Sequence, residues 1–395
     1  MVAAAVGGAI ADWLLGQGRR IAAPEALLDQ LCRRLIDQGV PIDRVGLHSR
    51  TLHPQVAGTR VLWRSDAARI EETAYQRDGD LAGEAYRRSP LYAVYADGRP
   101  LRRRLEGPDA RLDFPVLAEL RDEGLTDYLV LPLISIDDEV RSLTSWGSRR
   151  PGGFGDLDIA TIAGLLPAFA ALAEIHERRR MTSTLLDTSL GGDAGRRVLG
   201  GQIKRGDGVT IAAALWFCDL RDFTRLSDEL PGDAVIALLN DYFACMAAPV
   251  RARGGEVLKF IGDAMLAIFP IRDDLDRDRA CHGALAAAVD ALAGLDALNA
   301  ARSAASLPPL GVGLALHTGS VMYGNIGAPD RLDFTVIGPA VNLVTRIEGL
   351  CKPLGRRLLG SARFASPCGS RLVPLGRHPL KGIAEPQAIF TLPDA

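Results

Sequence analysis

Apolar positions open the chain in a helical stretch, Ala11 to Gln38, and then fall into short alternating runs such as Val45 to Leu52 and Tyr128 to Ile136. Helical spacing followed by period-two alternation predicts an α+β domain over residues 1–155. From Asp156 the pattern lengthens, and Ile162, Leu165, Phe169, Leu172 and His176 recur at spacings of three and four. That spacing predicts a helix with one apolar seam, suited either to a dimer contact or to packing of a terminal helix on its own domain. Pro167 inside it has no N–H to donate and predicts a kink or a restart. Seven glycines between Leu190 and Gly208 predict a loop-rich hinge. Residues 156–208 therefore read as a connecting helix and glycine-rich linker, and residues 209–395 as a second domain.

In that second domain Val209 to Phe217 reads as a buried strand and Gly232 to Arg253 as a helix. Glu256 to Phe260 and Ala264 to Phe269 read as two strands around Gly262-Asp263, followed by a helix over Asp276 to Ala301 and a strand over Leu310 to His317. The order β-α-β-β-α-β predicts a ferredoxin-like, split βαβ unit, again of the α+β class.

Composition narrows the classes. Nearly half of the 395 residues are apolar and about a quarter are charged, as in a globular protein of two domains. The formal net charge of -2 excludes a general nucleic-acid binder. Six cysteines without a CxxC pair disfavour a zinc site and a disulfide framework and fit a reducing cytoplasm. The apolar start MVAAAVGGAIADWLL lacks a basic leader and is interrupted at Asp12, so it reads as helix. No segment holds the roughly eighteen uninterrupted apolar residues of a membrane span, and a soluble cytoplasmic protein without a span is expected.

Two carboxylates draw attention. Asp219 ends the apolar strand in WFCDLRDFTRLSD and is followed by a turn and a helix start, with Thr224 and Ser227 as candidate caps. Free backbone N–H groups at such a helix start cradle phosphate, and a neighbouring carboxylate can hold Mg²⁺. Asp263 sits in the tight turn of LKFIGDAMLAIF, where Gly262 permits the reversal. Adjacent strands could thus present both carboxylates together. His48 and His53 flank the strand VGLHSRTLH and read as structural histidines rather than ligands.

The segments FCDLRDFT, KFIGDAML, HTGSVMYGNIG and FTVIGPAVNLVTRIE, in that order, resemble the motif series of class III adenylate and guanylate cyclase catalytic domains over about residues 205 to 392. The resemblance implies that Asp219 and Asp263 hold two divalent cations per active site, Mg²⁺ or Mn²⁺. It places Phe223 and Thr224 where backbone amides approach the phosphates, and Lys259 where a lysine reads the base. Asn342 and Arg346, one helical turn apart, match the residues that orient the ribose and stabilise the transition state. Lys381 in PLKGI resembles a basic residue that contacts the terminal phosphates. The resemblance further implies a homodimer in which metal aspartates and base readers of each site come from opposite protomers.

Seven residues before Asn342, where many members carry Asp as a second base reader, this chain has Thr335. That is similar to the Thr-for-Asp subclass, whose members include bicarbonate-responsive enzymes, so bicarbonate or another small-molecule effector is the implied partner beside ATP. Lys259 can only donate, which suits N1 of adenine and opposes the N1–H of guanine, whereas Thr335 can serve either base. The expected activity is an adenylate cyclase making 3′,5′-cyclic AMP and pyrophosphate. The rival readings are a diguanylate cyclase, whose Gly-Gly-Asp-Glu-Phe signature is absent, a guanylate cyclase, which Lys259 disfavours, and a nucleotide-binding module without turnover. The first domain and its helix resemble a GAF-type sensor domain that regulates the catalytic half.

Overall fold

The computed structural model describes residues 2–51, 55–67, 70–77, 83–137 and 139–393. His53 lies outside them. The chain forms two compact units, Met1–Leu185 and Leu186–Ala395.

The first unit opens with helices α1 (Val2–Gly16) and α2 (Pro24–Asp37), where one continuous helix is expected over Ala11 to Gln38. Pro24 is the reason for the break: it stands at the first turn of α2, the position where a missing N–H costs nothing. Strands β1 (Arg44–Arg50), β2 (Val56–Arg64) and β3 (Glu71–Gln76) follow, then α3 (Glu84–Arg87), α4 (Pro90–Asp97), β4 (Leu101–Arg104), α5 (Pro115–Asp122), β5 (Asp127–Ile134) and β6 (Val140–Ser148). They build one antiparallel sheet in the order β3-β2-β1-β6-β5-β4. Alternation along β5 divides its side chains: Leu129, Leu131 and Leu133 join a core with α1 and α2, while Tyr128 and Val130 join a second core with α4 and α5.

Helix α6 (Asp156–Leu190) runs through Pro167 without interruption, against the expected kink or restart. Its seam residues Ile162, Leu165, Phe169 and Leu172 are buried in the first unit's own core, so packing on the same domain, not a dimer contact, accounts for that spacing. His48 is buried with Nε2 2.9 Å from Ser145 Oγ, and burial pushes its pKa down to about 3, which suits a neutral structural histidine.

The second unit contains α7 (Gly192–Leu199), β7 (Gly208–Arg221), α8 (Phe223–Glu229), α9 (Gly232–Ala252), β8 (Glu256–Ile261), β9 (Ala264–Ile271) and α10 (Asp274–Ala304). It continues with β10 (Gly311–Ala328), β11 (Arg331–Ile337), α11 (Pro339–Glu348), β12 (Leu358–Ser361), α12 (Ala362–Cys368), β13 (Val373–His378) and β14 (Gln387–Thr391). The central order β10-β7-β9-β8 is antiparallel throughout, the arrangement expected of a split βαβ unit, and β12, β14 and β13 extend it beyond β10. Strand β7 is buried on both faces. Ala214, Trp216, Cys218 and Leu220 face α9 and α10, while Ala213, Leu215 and Phe217 lie in the core that includes α11. All six cysteines are free thiols.

Asp156–Leu190, Gly232–Ala252 and Asp276–Ala304 are long and apolar enough to cross a membrane by length and composition alone. Counting uninterrupted apolar runs passes over them because single polar residues break each run. The buried faces of α9 and α10 pack on the sheet of the second unit through Leu238, Tyr242, Met246, Leu285 and Leu295.

Candidate active site

Asp219 follows Phe217 on the same face of β7, at the strand's end, opposite Ala264 of β9 and Gly313 of β10. Ile261 pairs with Ala264, which leaves Gly262 and Asp263 as a two-residue turn between β8 and β9. Gly262 has φ 63°, a conformation in which a Cβ would be strained. The turn brings Asp263 back to Asp219, and the two carboxyls share a hydrogen bond. Burial, then the charge of Asp263, then that bond push Asp219 up to about 6. Two carboxyls held side by side make a site short of positive charge, and hard oxygen donors suit Mg²⁺ or Mn²⁺. Among the described residues no group of three or more His, Cys, Asp or Glu side chains is placed to hold a metal. The coordination left open by the pair therefore suits backbone carbonyls, substrate oxygens and water.

A third carboxylate lies beside the pair. Glu348, at the end of α11, stands so close over Gly313, the residue opposite Asp219, that a Cβ there would displace its Oε1. Burial, then the charge of Asp219, push Glu348 up to about 7, with Arg221 opposing. Sequence reasoning passes over Glu348 although it belongs to the quoted segment VNLVTRIE, because only the fold sets it against β10.

Beyond β7 the chain turns at Asp222, φ 58°, the left-handed conformation that aspartate tolerates. Asp222, not Thr224, occupies the N-cap of α8, and its carboxylate is bonded by Lys352 at 2.8 Å. Phe223 and Thr224 therefore lie in the first helical turn, where backbone N–H groups have no intrahelical acceptor. Ser227 donates to the Thr224 carbonyl at 2.8 Å and is not a cap.

Asn342 and Arg346 are exposed on α11. The Arg346 guanidinium lies against Gly382, the residue after Lys381 in the chain. Thr335 is buried on β11 opposite Gly324. Lys259, on β8, is bonded to the Asp333 carboxylate of β11, a partner that sequence reasoning misses although Asp333 precedes Thr335 by two on the same strand face. Among the described residues no hydrogen bond or ion pair joins the aspartate pair to Lys259, Thr335, Asn342 or Arg346. Lys259 and Asp333 border an open cleft of about 1130 Å³ together with Arg196, Arg197, Glu256 and Tyr323. At its edge the Glu256 carboxylate accepts the Asp193 N–H at 2.8 Å, which fastens the start of α7 to β8.

Adenylate cyclase of Anabaena cylindrica is 39% identical over 161 residues, 40% of this chain and 31% of that protein. Adenylate cyclase 1 of Rhizobium meliloti (strain 1021) is 34% identical over 170 residues, 42% of this chain and 25% of that protein. The chain thus spans about a third or less of the length of these relatives. Among solved structures, the adenylyl cyclase CyaB from P. aeruginosa aligns at 27% identity with a TM-score of 0.44, covering 48% of this chain and 96% of that one. The family profile described as adenylate and guanylate cyclase catalytic domain matches residues 203–382, so the second unit carries a cyclase catalytic domain of class III.

Proposed function

We propose that the protein is an adenylate cyclase, converting ATP to 3′,5′-cyclic AMP and pyrophosphate at sites shared between the two protomers of a homodimer. The observation that carries this reading is the pairing of Asp219 with Asp263 at one end of the sheet, where two adjacent carboxyls mark a place for added positive charge. Two divalent cations, when bound there, supply activation of the ribose 3′-hydroxyl and charge neutralisation at the phosphates. The remaining work falls to side chains and backbone. Amides of Phe223 and Thr224 hold phosphate, Asn342 orients the ribose, and Lys381 meets the terminal phosphates. Arg346 meets the charge that develops as the 3′-oxygen attacks the α-phosphorus in line and pyrophosphate leaves. Lys259 donates to N1 of adenine, with Thr335 as the second reader, and the domain is read as a member of the Thr-for-Asp subclass. The two named relatives, both adenylate cyclases, support ATP as the substrate.

The first unit, with its six-stranded antiparallel sheet, is read as a GAF-like regulatory domain that answers a small-molecule or bicarbonate effector, and the protein as cytoplasmic. The deciding experiment is a product assay of the purified protein with ATP and GTP, each with Mg²⁺ and Mn²⁺. Cyclic AMP is expected as the main product, with turnover lost by about a hundredfold or more in Asp219→Ala and Asp263→Ala. Equal turnover of GTP would remove the base assignment, and near-normal activity in either variant would remove the metal-site assignment.

A further inference from the structure

The ion pair between Lys259 and Asp333 joins strands that share no backbone ladder, since β8 pairs with β9 and β11 pairs with β10. Side chains alone therefore set where the Lys259 ammonium stands. Phe334 is buried edge-on against Tyr323 with ring centres 4.8 Å apart, which anchors the strand, while the neighbouring Asp333 is exposed and meets Lys259 in the cleft. Thr335 shares the Asp333 side of the strand but is buried.

An unpaired lysine is a poor reader of purines. Its ammonium is a compact, strongly hydrated charge on a flexible stem with three donors. Beside a nucleoside triphosphate it would be drawn to phosphate oxygen, because a charge-assisted bond to an anion is stronger than one to a neutral ring nitrogen. A swinging lysine would also reach O6 of guanine as easily as N1 of adenine. Asp333 removes both faults: it takes one N–H, cancels the charge locally and leaves the remaining donors in a fixed direction.

We propose that Asp333 is a positioning residue for Lys259, holding its ammonium in the cleft so that it acts as a hydrogen-bond donor to the adenine base and not as an anchor for phosphate. This rests on the reading of Lys259 as the base reader. Full-length wild type, Asp333→Asn, Asp333→Glu and Lys259→Ala would be compared for steady-state rates with ATP and with GTP, and for binding of inorganic tripolyphosphate by calorimetry. Asp333 is exposed, so its replacement is not expected to disturb folding. In Asp333→Asn, KM for ATP should rise about tenfold with kcat changed less than about threefold, and the preference for ATP over GTP should fall about tenfold. Tripolyphosphate should bind Asp333→Asn several times more tightly than wild type, and Asp333→Glu should restore wild-type values. A merely structural role would not tighten phosphate binding. If Lys259→Ala loses nucleotide preference while Asp333→Asn keeps both preference and tripolyphosphate affinity, the positioning role is overturned and the base-reading role stands. If Lys259→Ala itself keeps the preference, the base-reading role falls first. Should Asp333→Asn prove inactive, unchanged tripolyphosphate affinity would still overturn the proposal.

Discussion

A carboxyl that ordinarily titrates near 3.8 and is held at about 6 in the fold, as Asp219 is, binds its proton more tightly in the folded chain than in the unfolded one. Its contribution to stability is fully present below pH 3.8 and is lost as pH rises through about 6. Glu348, raised from 4.5 to about 7, acts in the same sense over a slightly higher window. Without divalent cations, the melting temperature of the second unit should therefore decline from pH 4 to pH 7.5 more steeply in wild type than in Asp219→Asn or Glu348→Gln. At pH 7.5 each variant should melt higher by about 2–4 °C, the shift expected for roughly 1 kcal/mol in a unit of this size. Mn²⁺ should raise the wild-type melting temperature and leave Asp219→Asn unmoved, because a cation that binds only the folded state stabilises it by mass action. Scanning calorimetry across pH, with and without Mn²⁺, reads both effects. Parallel pH slopes in wild type and Asp219→Asn would show that the carboxylates do not carry this strain.

At the level of elements, α7 illustrates what the sequence hides. Its glycines, at 192 and 195 within the helix and at 191, 200 and 201 around it, read as a linker, yet Ala194 and Gly195 are buried and the segment is helical. Tertiary burial overrides local propensity there. The strand over Val209 to Phe217 was legible as a nearly continuous apolar run, suited to burial on both faces, and the helix over Gly232 to Arg253 because a period-3.6 pattern survives along its length. The uninterrupted course of α6 through Pro167 was not, since packing of both flanks into one core outweighs the lost hydrogen bond. Asp333 and Glu348 were illegible for another reason: their partners, Lys259 and Gly313, lie on strands whose proximity only the folded sheet decides. Glu256 belongs with them. Its carboxylate caps α7 and accepts the Tyr323 hydroxyl at 3.5 Å, three residues before Lys259. Glu256→Ala should free α7, lowering hydrogen-exchange protection of the amides from 193 to 199 by about tenfold, in line with the loss of a helix cap. Glu256→Gln, which keeps one carbonyl acceptor, should retain most of that protection. Equal protection in wild type and Glu256→Ala would mean that α7 is held by its apolar face alone.

For the molecule as a whole, the distribution of candidate residues is the informative feature. Within one chain the sheet end holds Asp219 and Asp263, while Lys259 is engaged by Asp333 and Arg346 lies beside Gly382, with no hydrogen bond or ion pair among the described residues joining these groups. If a partner protomer supplies the second half, each dimer has two sites built from both chains, and two inactive variants can repair each other. A chain with Asp219→Ala keeps Arg346, and a chain with Arg346→Ala keeps Asp219, so a mixed dimer regains one complete site and carries one doubly defective site. With equal amounts and random exchange, half of the dimers are mixed and each has half its sites intact, which predicts about a quarter of wild-type activity. Cyclic AMP production should rise on mixing with the kinetics of subunit exchange and approach that fraction. Recovery near zero, in a mixture where mass-tagged chains prove that mixed dimers form, would place both sets of residues in one protomer and remove the shared site.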